Sequence, residues 1–337
     1  KITSQFPSPT AAHVTTIHSG LPVGQSGVYE WQYYEPLLDA MFSPLLFSFA
    51  GDKQRETVNK ADVDLAQIFP QGTIYRRLRS DGVRSCVLQN RIYNATTYSK
   101  HLLKGSRIVS YTTFPQALVS LGQLLAQQDT PTYYFLYFDP IDMICHQFGP
   151  GSPELAAEIE TFLMIMEQIF LKQLAQAHGR TLFMMTTDHG QVEVDRETTI
   201  YLNRDPQFSG IEKYLRSNRN GQLLVPAGSP RDMFLYIKEG LLDEAVIFLR
   251  NRLGPIAEVH PTTDLIAGGL IGTKTLDESF LSRVGDLVIL PFANQTVWWH
   301  EKGRFEMKFR GHHGGLTASE VEIPLILYDP NGSLGGR

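Results

Sequence analysis

The chain has 337 residues, of which 42% are hydrophobic and 19% are charged, and its formal net charge at pH 7 is −5. This composition is typical of a globular protein and argues against disorder, while the net charge gives no sign of a nucleic-acid footprint. No apolar run reaches the roughly 18 residues of a membrane-spanning helix, which predicts a soluble protein without a membrane span.

The beginning of the chain and its two cysteines bear on the compartment. Lys1 opens the sequence without an initiator methionine and without a signal-peptide pattern, so we expect the natural N-terminus to lie upstream. Cys86 and Cys145 do not indicate a disulfide-stapled secreted domain, although one disulfide between them stays open. The low cysteine content favours a reducing, cytoplasmic interior.

The first half of the chain alternates predicted helices and strands. Apolar periodicity predicts helices over 11–19, 72–80 and 114–127, and a strand over 83–89. The apolar run 133–138 is typical of a strand that is covered on both faces. These elements predict an α/β fold.

A long helix is predicted next, with Ser152 as N-cap, Pro153 in the first turn and Gly179 at the stop. Its apolar stripe consists of Leu155, Ile159, Phe162, Leu163, Met166, Ile169, Phe170 and Leu174. A buried strand over 181–186 follows. The order strand, helix, strand predicts a right-handed parallel crossover.

The character of the sequence changes between residues 192 and 300. Polar loops, strands over 233–238 and 286–291 and a helix over 241–253 predict a small α+β insertion. A strand over 323–328 returns to the earlier pattern. We therefore predict a core formed by 1–191 and 301–337, with 192–300 as a cap.

Asp142 and His146 follow directly after the predicted strand 133–138. A carboxylate and an imidazole four residues apart at a helix start can face one cation. A capping aspartate beside a surface histidine is the simpler alternative for this pair.

Two further segments place histidines among glycines. Asp188 and His189 close the predicted strand 181–186, and Gly190 gives the turn its conformational freedom. His312 and His313 stand between Gly311 and the pair Gly314–Gly315. A loop that brings an imidazole close to a ligand favours such a frame, although a plain turn explains either segment alone.

Thr10 follows two prolines and precedes Ala11 and Ala12, so a helix can begin immediately after it. Its hydroxyl would then lie at a helix N-terminus, where the backbone amides and the dipole favour an anion. An ordinary N-cap is the alternative. Together the four segments contain the residue types of a two-metal hydrolase, namely a hydroxyl, two aspartates and several histidines.

Four motifs, in order, resemble the type I phosphodiesterase and nucleotide pyrophosphatase branch of the alkaline phosphatase superfamily. They are Phe-Pro-Ser-Pro-Thr, Asp-x-x-x-His-x-x-Gly-Pro, Thr-Asp-His-Gly and Gly-x-His-Gly. The resemblance implies a three-layer αβα sandwich and hydrolysis of a small, nucleotide-like phosphoester. The resemblance does not imply a nucleic-acid polymer as a partner, and it leaves the oligomeric state open.

The resemblance also implies residue roles. Thr10 would be the nucleophile, would pass through a phospho-threonine intermediate and would bind one divalent cation together with Asp188 and His189. Asp142, His146 and His313 would bind the other, with His313 preferred over His312 because the family frame is glycine, any residue, histidine, glycine. Imidazole-rich ligation favours Zn²⁺, and the carboxylates leave Mn²⁺ open.

The sequence departs from the family pattern at two points. The family's second site also uses an aspartate upstream of the nucleophile loop, and only nine residues precede Thr10. Trp31 stands where nucleotide pyrophosphatases carry a phosphate-binding asparagine. A phosphomonoesterase, a phosphomutase or a metal-poor, non-catalytic binding relative are therefore the alternatives to a phosphodiesterase.

Overall fold

The structure is a computed structural model that describes residues 1–61, 63–174, 181–272 and 275–330. The predicted helix stop at Gly179 lies outside these residues.

The described residues form short helices and strands in alternation. The α-helices are α1 Thr10–Ser19, α2 Val23–Ser26, α3 Leu65–Ile68, α4 Ile74–Ser80, α5 Thr97–Leu102, α6 Phe114–Ala126, α7 Pro140–Phe148, α8 Pro153–Ile165, α9 Lys172–Leu174, α10 Leu242–Leu253, α11 Thr262–Ala267, α12 Glu278–Arg283 and α13 Ala318–Val321. The strands are β1 Ile2–Thr3, β2 Tyr33–Glu35, β3 Ala40–Ser43, β4 Ser48–Phe49, β5 Arg84–Asn90, β6 Arg107–Tyr111, β7 Thr132–Leu136, β8 Phe183–Thr186, β9 Val192–Glu193, β10 Ile200–Tyr201, β11 Ala227–Ser229, β12 Asp232–Leu235, β13 Ala257–Pro261, β14 Leu287–Pro291, β15 Val297–Trp298, β16 Gly311–His312, β17 Glu322–Ile323 and β18 Leu325–Tyr328. Short 3₁₀ helices span Thr57–Lys60, Arg91–Tyr93, Arg196–Thr198, Pro206–Phe208 and Ile211–Lys213, and a π-helical turn spans Met166–Leu171.

The first part of the chain contains a parallel sheet with strand order β6-β5-β7. Successive side chains of a strand point to opposite faces of its sheet. Cys86 and Leu88 of β5 join the hydrophobic core that contains the apolar side of α6, whereas Val87 packs with Tyr75 of α4. Helices therefore cover both faces of β5, which is the arrangement of an αβα sandwich.

Strands β7 and β8 precede the predicted Asp142 and Asp188 loops, and both strands form close to their predicted positions. Two details of their prediction are wrong. The side chains of β7 are only partly buried, and β8 pairs antiparallel with β18 rather than in parallel with β7. In the part of the chain that the structure describes, β7 pairs with β5 alone. An apolar run shows that a strand forms but does not identify its neighbours.

The helix that begins at Ser152 differs from its predicted stripe. The Ser152 hydroxyl caps α8 by accepting from the Leu155 amide, as predicted. Leu155, Met166, Phe170 and Leu174 are buried, but Ile159 and Leu163 are 37% and 49% exposed. The predicted positions therefore do not form a single buried stripe.

The segment 192–300 contains an antiparallel sheet with strand order β11-β12-β14-β13, on which α10 packs. This agrees with the predicted α+β organisation of the segment. Phe234 and Val288 of this sheet share a core with Phe6 and Tyr29, so the segment packs directly against the beginning of the chain. The boundaries 1–191, 192–300 and 301–337 stay a prediction.

The structure decides whether the two cysteines form a disulfide. Cys86 and Cys145 are both buried and both carry free thiols. Tyr29 and Tyr33 are completely buried and belong to the core, whereas Trp31 between them is 39% exposed.

None of the described helices has the length and apolar character needed to cross a membrane.

Candidate active site

Thr10 is the first residue of α1, directly after Pro9 in extended conformation. Ala11 and Ala12 are completely buried, and their small side chains let the first turn pack closely against the core. The Thr10 Oγ1 atom lies 3.3 Å from Nε2 of His189. The hydroxyl thus occupies the positive end of a ten-residue helix and faces a second predicted site residue.

Asp188 and His189 follow β8, as predicted. The His189 Nδ1 atom lies 3.0 Å from the carbonyl oxygen of Gly190. Because a carbonyl only accepts hydrogen bonds, Nδ1 is the donor in this contact, which leaves Nε2 for other partners. This Nε2 atom lies 3.5 Å from Asp188 Oδ2 and points into the site.

Gly190 is required for a different reason from the predicted one. Its backbone does not lie in the left-handed region, so conformational freedom is not what it supplies. A Cβ at this position would collide with the carbonyl oxygen of Ser319, and the Gly190 amide donates to Glu320 O at 2.8 Å. The glycine lets two chain segments approach each other behind His189.

Asp142 and His146 lie one turn apart on α7, with 3.5 Å between Asp142 Oδ1 and His146 Nε2. The His146 Nδ1 atom donates to the Gly311 carbonyl at 2.8 Å, which again leaves Nε2 free. Asp142 Oδ1 also lies 4.0 Å from His189 Nε2. The alternative of a surface histidine is therefore wrong, because the His146 side chain is only 14% exposed.

His313 lies in the middle of this group. Its ring stacks on His189 with 3.5 Å between the centroids, and the centroid of His146 lies 5.1 Å away. Burial, followed by the neighbouring histidines, lowers the pKa of His313 well below its usual value. Its Nδ1 atom is buried, and the described residues offer it no hydrogen-bond partner. A neutral imidazole with an unused nitrogen lone pair is suited to metal binding.

His312 is less suited to metal binding than His313. Its ring is also buried, and burial lowers its pKa to about 3. Its Nδ1 atom accepts the His313 backbone amide at 3.0 Å, so one ring nitrogen is already used inside the loop.

The donor set fits a divalent cation. One ligand atom each of Asp142, His189 and His313 lie within 4.8 Å of one another. Two imidazoles and a carboxylate are the donors that Zn²⁺ takes in catalytic sites. This group combines residues that were assigned to two different cations, so the division into two ligand sets stays a prediction. The buried Nδ1 atom of His313, which has no hydrogen-bond partner among the described residues, independently supports a cation at this place.

The site contains supporting residues that the sequence analysis missed. Gln191 donates its amide to Asp142 Oδ1 at 2.6 Å, and its place directly after Gly190 was the only signal for it. Ser4 donates to the Asp188 carbonyl at 2.7 Å and lies 2.8 Å from His13 Nε2. Burial lowers the pKa of His13 to about 4, so this histidine is neutral near pH 7.

Residues 1–316 match the family model described as "Type I phosphodiesterase / nucleotide pyrophosphatase". A search of curated proteins returned no significant match.

Among solved structures, murine ectonucleotide pyrophosphatase/phosphodiesterase 5 is similar, with a TM-score of 0.66 and 17% identity over 97% of this chain and 79% of that one. An inactive threonine-to-alanine variant of the murine protein, in complex with AMP, gives 0.66 and 16% over 97% and 78%. The human protein gives 0.66 and 15% over 96% and 78%. These likenesses confirm the predicted alkaline-phosphatase-like α/β fold.

Proposed function

Because this chain belongs to the type I phosphodiesterase/nucleotide pyrophosphatase family, we propose that it is a metal-dependent phosphodiesterase with Thr10 as its nucleophile. The observation that carries the proposal is the convergence of side chains from four distant segments. Thr10 Oγ1 lies 3.3 Å from His189 Nε2, and Asp142, Asp188 and His313 contact the same histidine.

We assign the binding of two divalent cations to these side chains. Thr10, Asp188 and His189 would hold one divalent cation, and Asp142, His146 and His313 the other. Zn²⁺ suits the imidazoles, and Mn²⁺ is the second candidate. Bound cations would lower the pKa of the threonine hydroxyl and neutralise charge on the phosphate oxygens.

Thr10 does the covalent chemistry. Its Oγ1 forms a bond to phosphorus while the bond to the leaving oxygen breaks, and the leaving group takes the electron pair and, in net terms, the hydroxyl proton. A phospho-threonine results. A water oxygen then bonds to phosphorus, and Thr10 recovers its electron pair and a proton. The amides at the start of α1 face the phosphate during both steps.

The family and the AMP bound to the murine relative support the proposed substrate class. A phosphodiester or pyrophosphate with a nucleotide-like group is the proposed substrate. Trp31 replaces a polar phosphate-binding residue of the family, and its partly exposed indole offers a stacking surface instead. We therefore expect a broader substrate range than that of a strict nucleotide pyrophosphatase.

The test compares a diester with a monoester on the purified chain. With Zn²⁺ or Mn²⁺ added, bis(p-nitrophenyl) phosphate is expected to be cleaved faster than p-nitrophenyl phosphate, and a chelator should abolish both rates. Faster monoester cleavage would favour a phosphomonoesterase. No turnover, together with fewer than about one metal ion per chain by elemental analysis, would favour the non-catalytic relative and overturn the proposal.

A further inference from the structure

We propose that Ser229 and Asp232, on the hairpin of β11 and β12, are positioning residues that orient His313. The inference rests on the proposed role of His313 as a metal ligand. Both residues belong to the segment 192–300, which is predicted as a cap and contains none of the predicted site residues.

The Ser229 hydroxyl joins the hairpin to the histidine loop. Its Oγ atom lies 3.0 Å from the carbonyl oxygen of His313 and 2.5 Å from Oδ1 of Asp232. It also accepts the backbone amide of Arg231 at 3.1 Å. Ser229 is 6% exposed and Asp232 is completely buried, so water does not compete for these contacts.

The Ser229 hydroxyl has two acceptors within reach, Asp232 Oδ1 and the carbonyl oxygen of His313. Asp232 Oδ1 also accepts the backbone amide of Ser229 at 3.1 Å. Asp232 therefore fixes Ser229 at both its hydroxyl and its amide, and so holds the hydroxyl against the His313 carbonyl.

Asp232 faces a second buried carboxyl. It lies beside Glu30, which is also completely buried. Burial raises the pKa of Asp232 to about 7, and burial together with Asp232 raises the pKa of Glu30 well above its usual value. Two adjacent buried carboxyls cannot both ionise, so the pair retains at least one proton.

Gly314 shows how closely the hairpin packs on the loop. Its φ is +121°, and a Cβ built on it would lie 2.5 Å from Asp232 Oδ1 and 2.5 Å from Ser229 Oγ. Any side chain would push the hairpin away. The glycine after His313 is thus explained by contact with these two polar groups.

The other side of the loop is fixed by an ion pair. Glu320 accepts the Gly315 amide at 2.9 Å and binds Arg231 at 2.9 and 2.8 Å. Arg231 lies between Ser229 and Asp232 in sequence, so one hairpin contacts the loop on both sides of Gly314. The peptide that carries the His313 ring is therefore held at its carbonyl and at the amide two residues later.

Loss of this support should weaken metal binding, because groups that orient a ligand typically contribute about 10- to 100-fold to metal affinity. Ser229→Ala removes the bond to His313. Asp232→Ala removes the carboxyl that accepts from the hydroxyl and from the backbone amide of Ser229.

The matched control is Ser48→Ala. Ser48 is a completely buried serine whose hydroxyl donates to the carbonyls of Leu46 and Gln54, away from the site. His313→Ala marks which bound cation depends on the histidine. Zn²⁺ stoichiometry and affinity are measured by competition with a chromogenic chelator, and urea unfolding of the metal-free variants reports their stability.

We expect Ser229→Ala and Asp232→Ala to weaken by about 10- to 100-fold the affinity for the cation that is lost in His313→Ala, while Ser48→Ala keeps wild-type affinity. If His313→Ala loses a cation but both hairpin variants bind it normally, the positioning role is wrong and the proposed function stands. Normal binding in Asp232→Ala alone would overturn the part of Asp232. If His313→Ala loses no cation, the proposed ligand role fails and the inference fails with it.

Discussion

At the scale of single residues, the imidazoles are oriented by backbone carbonyls. His146 donates to Gly311 O and His189 to Gly190 O, each through Nδ1. Both rings therefore direct Nε2 at the cluster, which is how ligand histidines are usually held. His313 differs because its ring nitrogen Nδ1 has no partner in the described part of the chain, and its orientation depends on the backbone around it.

The first prediction concerns the nucleophile. Thr10→Ala removes the only side-chain atom that can form the phospho-threonine, so turnover should fall by at least about 1,000-fold. Asp188 and His189 remain, and metal content should stay close to that of the wild type. Diester hydrolysis and elemental analysis measure the two quantities.

Thr10→Ser is the matched control for this variant, since it keeps the hydroxyl and should retain measurable activity. Near-normal turnover in Thr10→Ala would show that another group attacks phosphorus.

At the scale of elements, a buried ion pair ties the hairpin of β11 and β12 to α13. Arg231 and Glu320 are both fully buried, with 2.8 Å between Nη2 and Oε2. Arg231 Nη1 also donates to the carbonyls of Phe292 and Gln295. At a fully buried position, no water can solvate a charge whose partner has been removed.

The second prediction follows from that pair. Arg231→Met should lower the free energy of unfolding by about 3–5 kcal/mol, because Glu320 is left buried without a cation. Arg84→Met is the control, since the Arg84–Asp129 pair is 65% and 70% exposed and such pairs contribute about 0–1 kcal/mol. Urea unfolding measures both, and equal losses in the two variants would contradict the argument.

At the scale of the whole molecule, buried neutral histidines make stability depend on pH. His18 of α1 is buried against Tyr75 and Phe135, and burial lowers its pKa to about 3. Its pKa in the unfolded chain is about 6.5. Its contribution to stability is complete above pH 6.5 and is lost as the pH falls, because only the unfolded chain takes up the proton.

The third prediction uses this difference. Between pH 7.5 and pH 5, His18 alone should reduce the free energy of unfolding by about 2 kcal/mol. His18→Gln keeps a hydrogen-bonding group for the Tyr75 hydroxyl, which lies 2.7 Å from His18 Nδ1, but cannot titrate. The decrease measured by urea unfolding of metal-free protein should therefore be about 2 kcal/mol smaller in the variant. An unchanged decrease would show that His18 is protonated in the folded chain.

The fourth prediction concerns the cofactor. A cation that binds only the folded chain should stabilise it by about 2.7 kcal/mol at a concentration 100 times its Kd. Thermal unfolding with and without Zn²⁺ should show a higher Tm in the presence of the metal. The increase should shrink in His313→Ala and in Asp142→Ala, whereas an undiminished increase in both would place the cation elsewhere.

Local features were determined by the sequence itself. The cap of α8 at Ser152, the start of α1 at Thr10 and the strands before Asp142 and Asp188 follow from turn residues and apolar periodicity. These depend on neighbours within a few positions. The candidate site residues were also readable, because their order along the chain resembles that of one family.

Contacts between distant segments were decided only by the tertiary structure. The pairing of β8 with β18, the contact of Gly190 with Ser319 and the bond from Ser229 to His313 join residues far apart in the chain. Periodicity reports which face of an element is apolar, but not which element covers it. The hydrogen bonds that orient the site's imidazoles are of this kind. The sequence therefore identifies the candidate ligands, and the fold decides where they point.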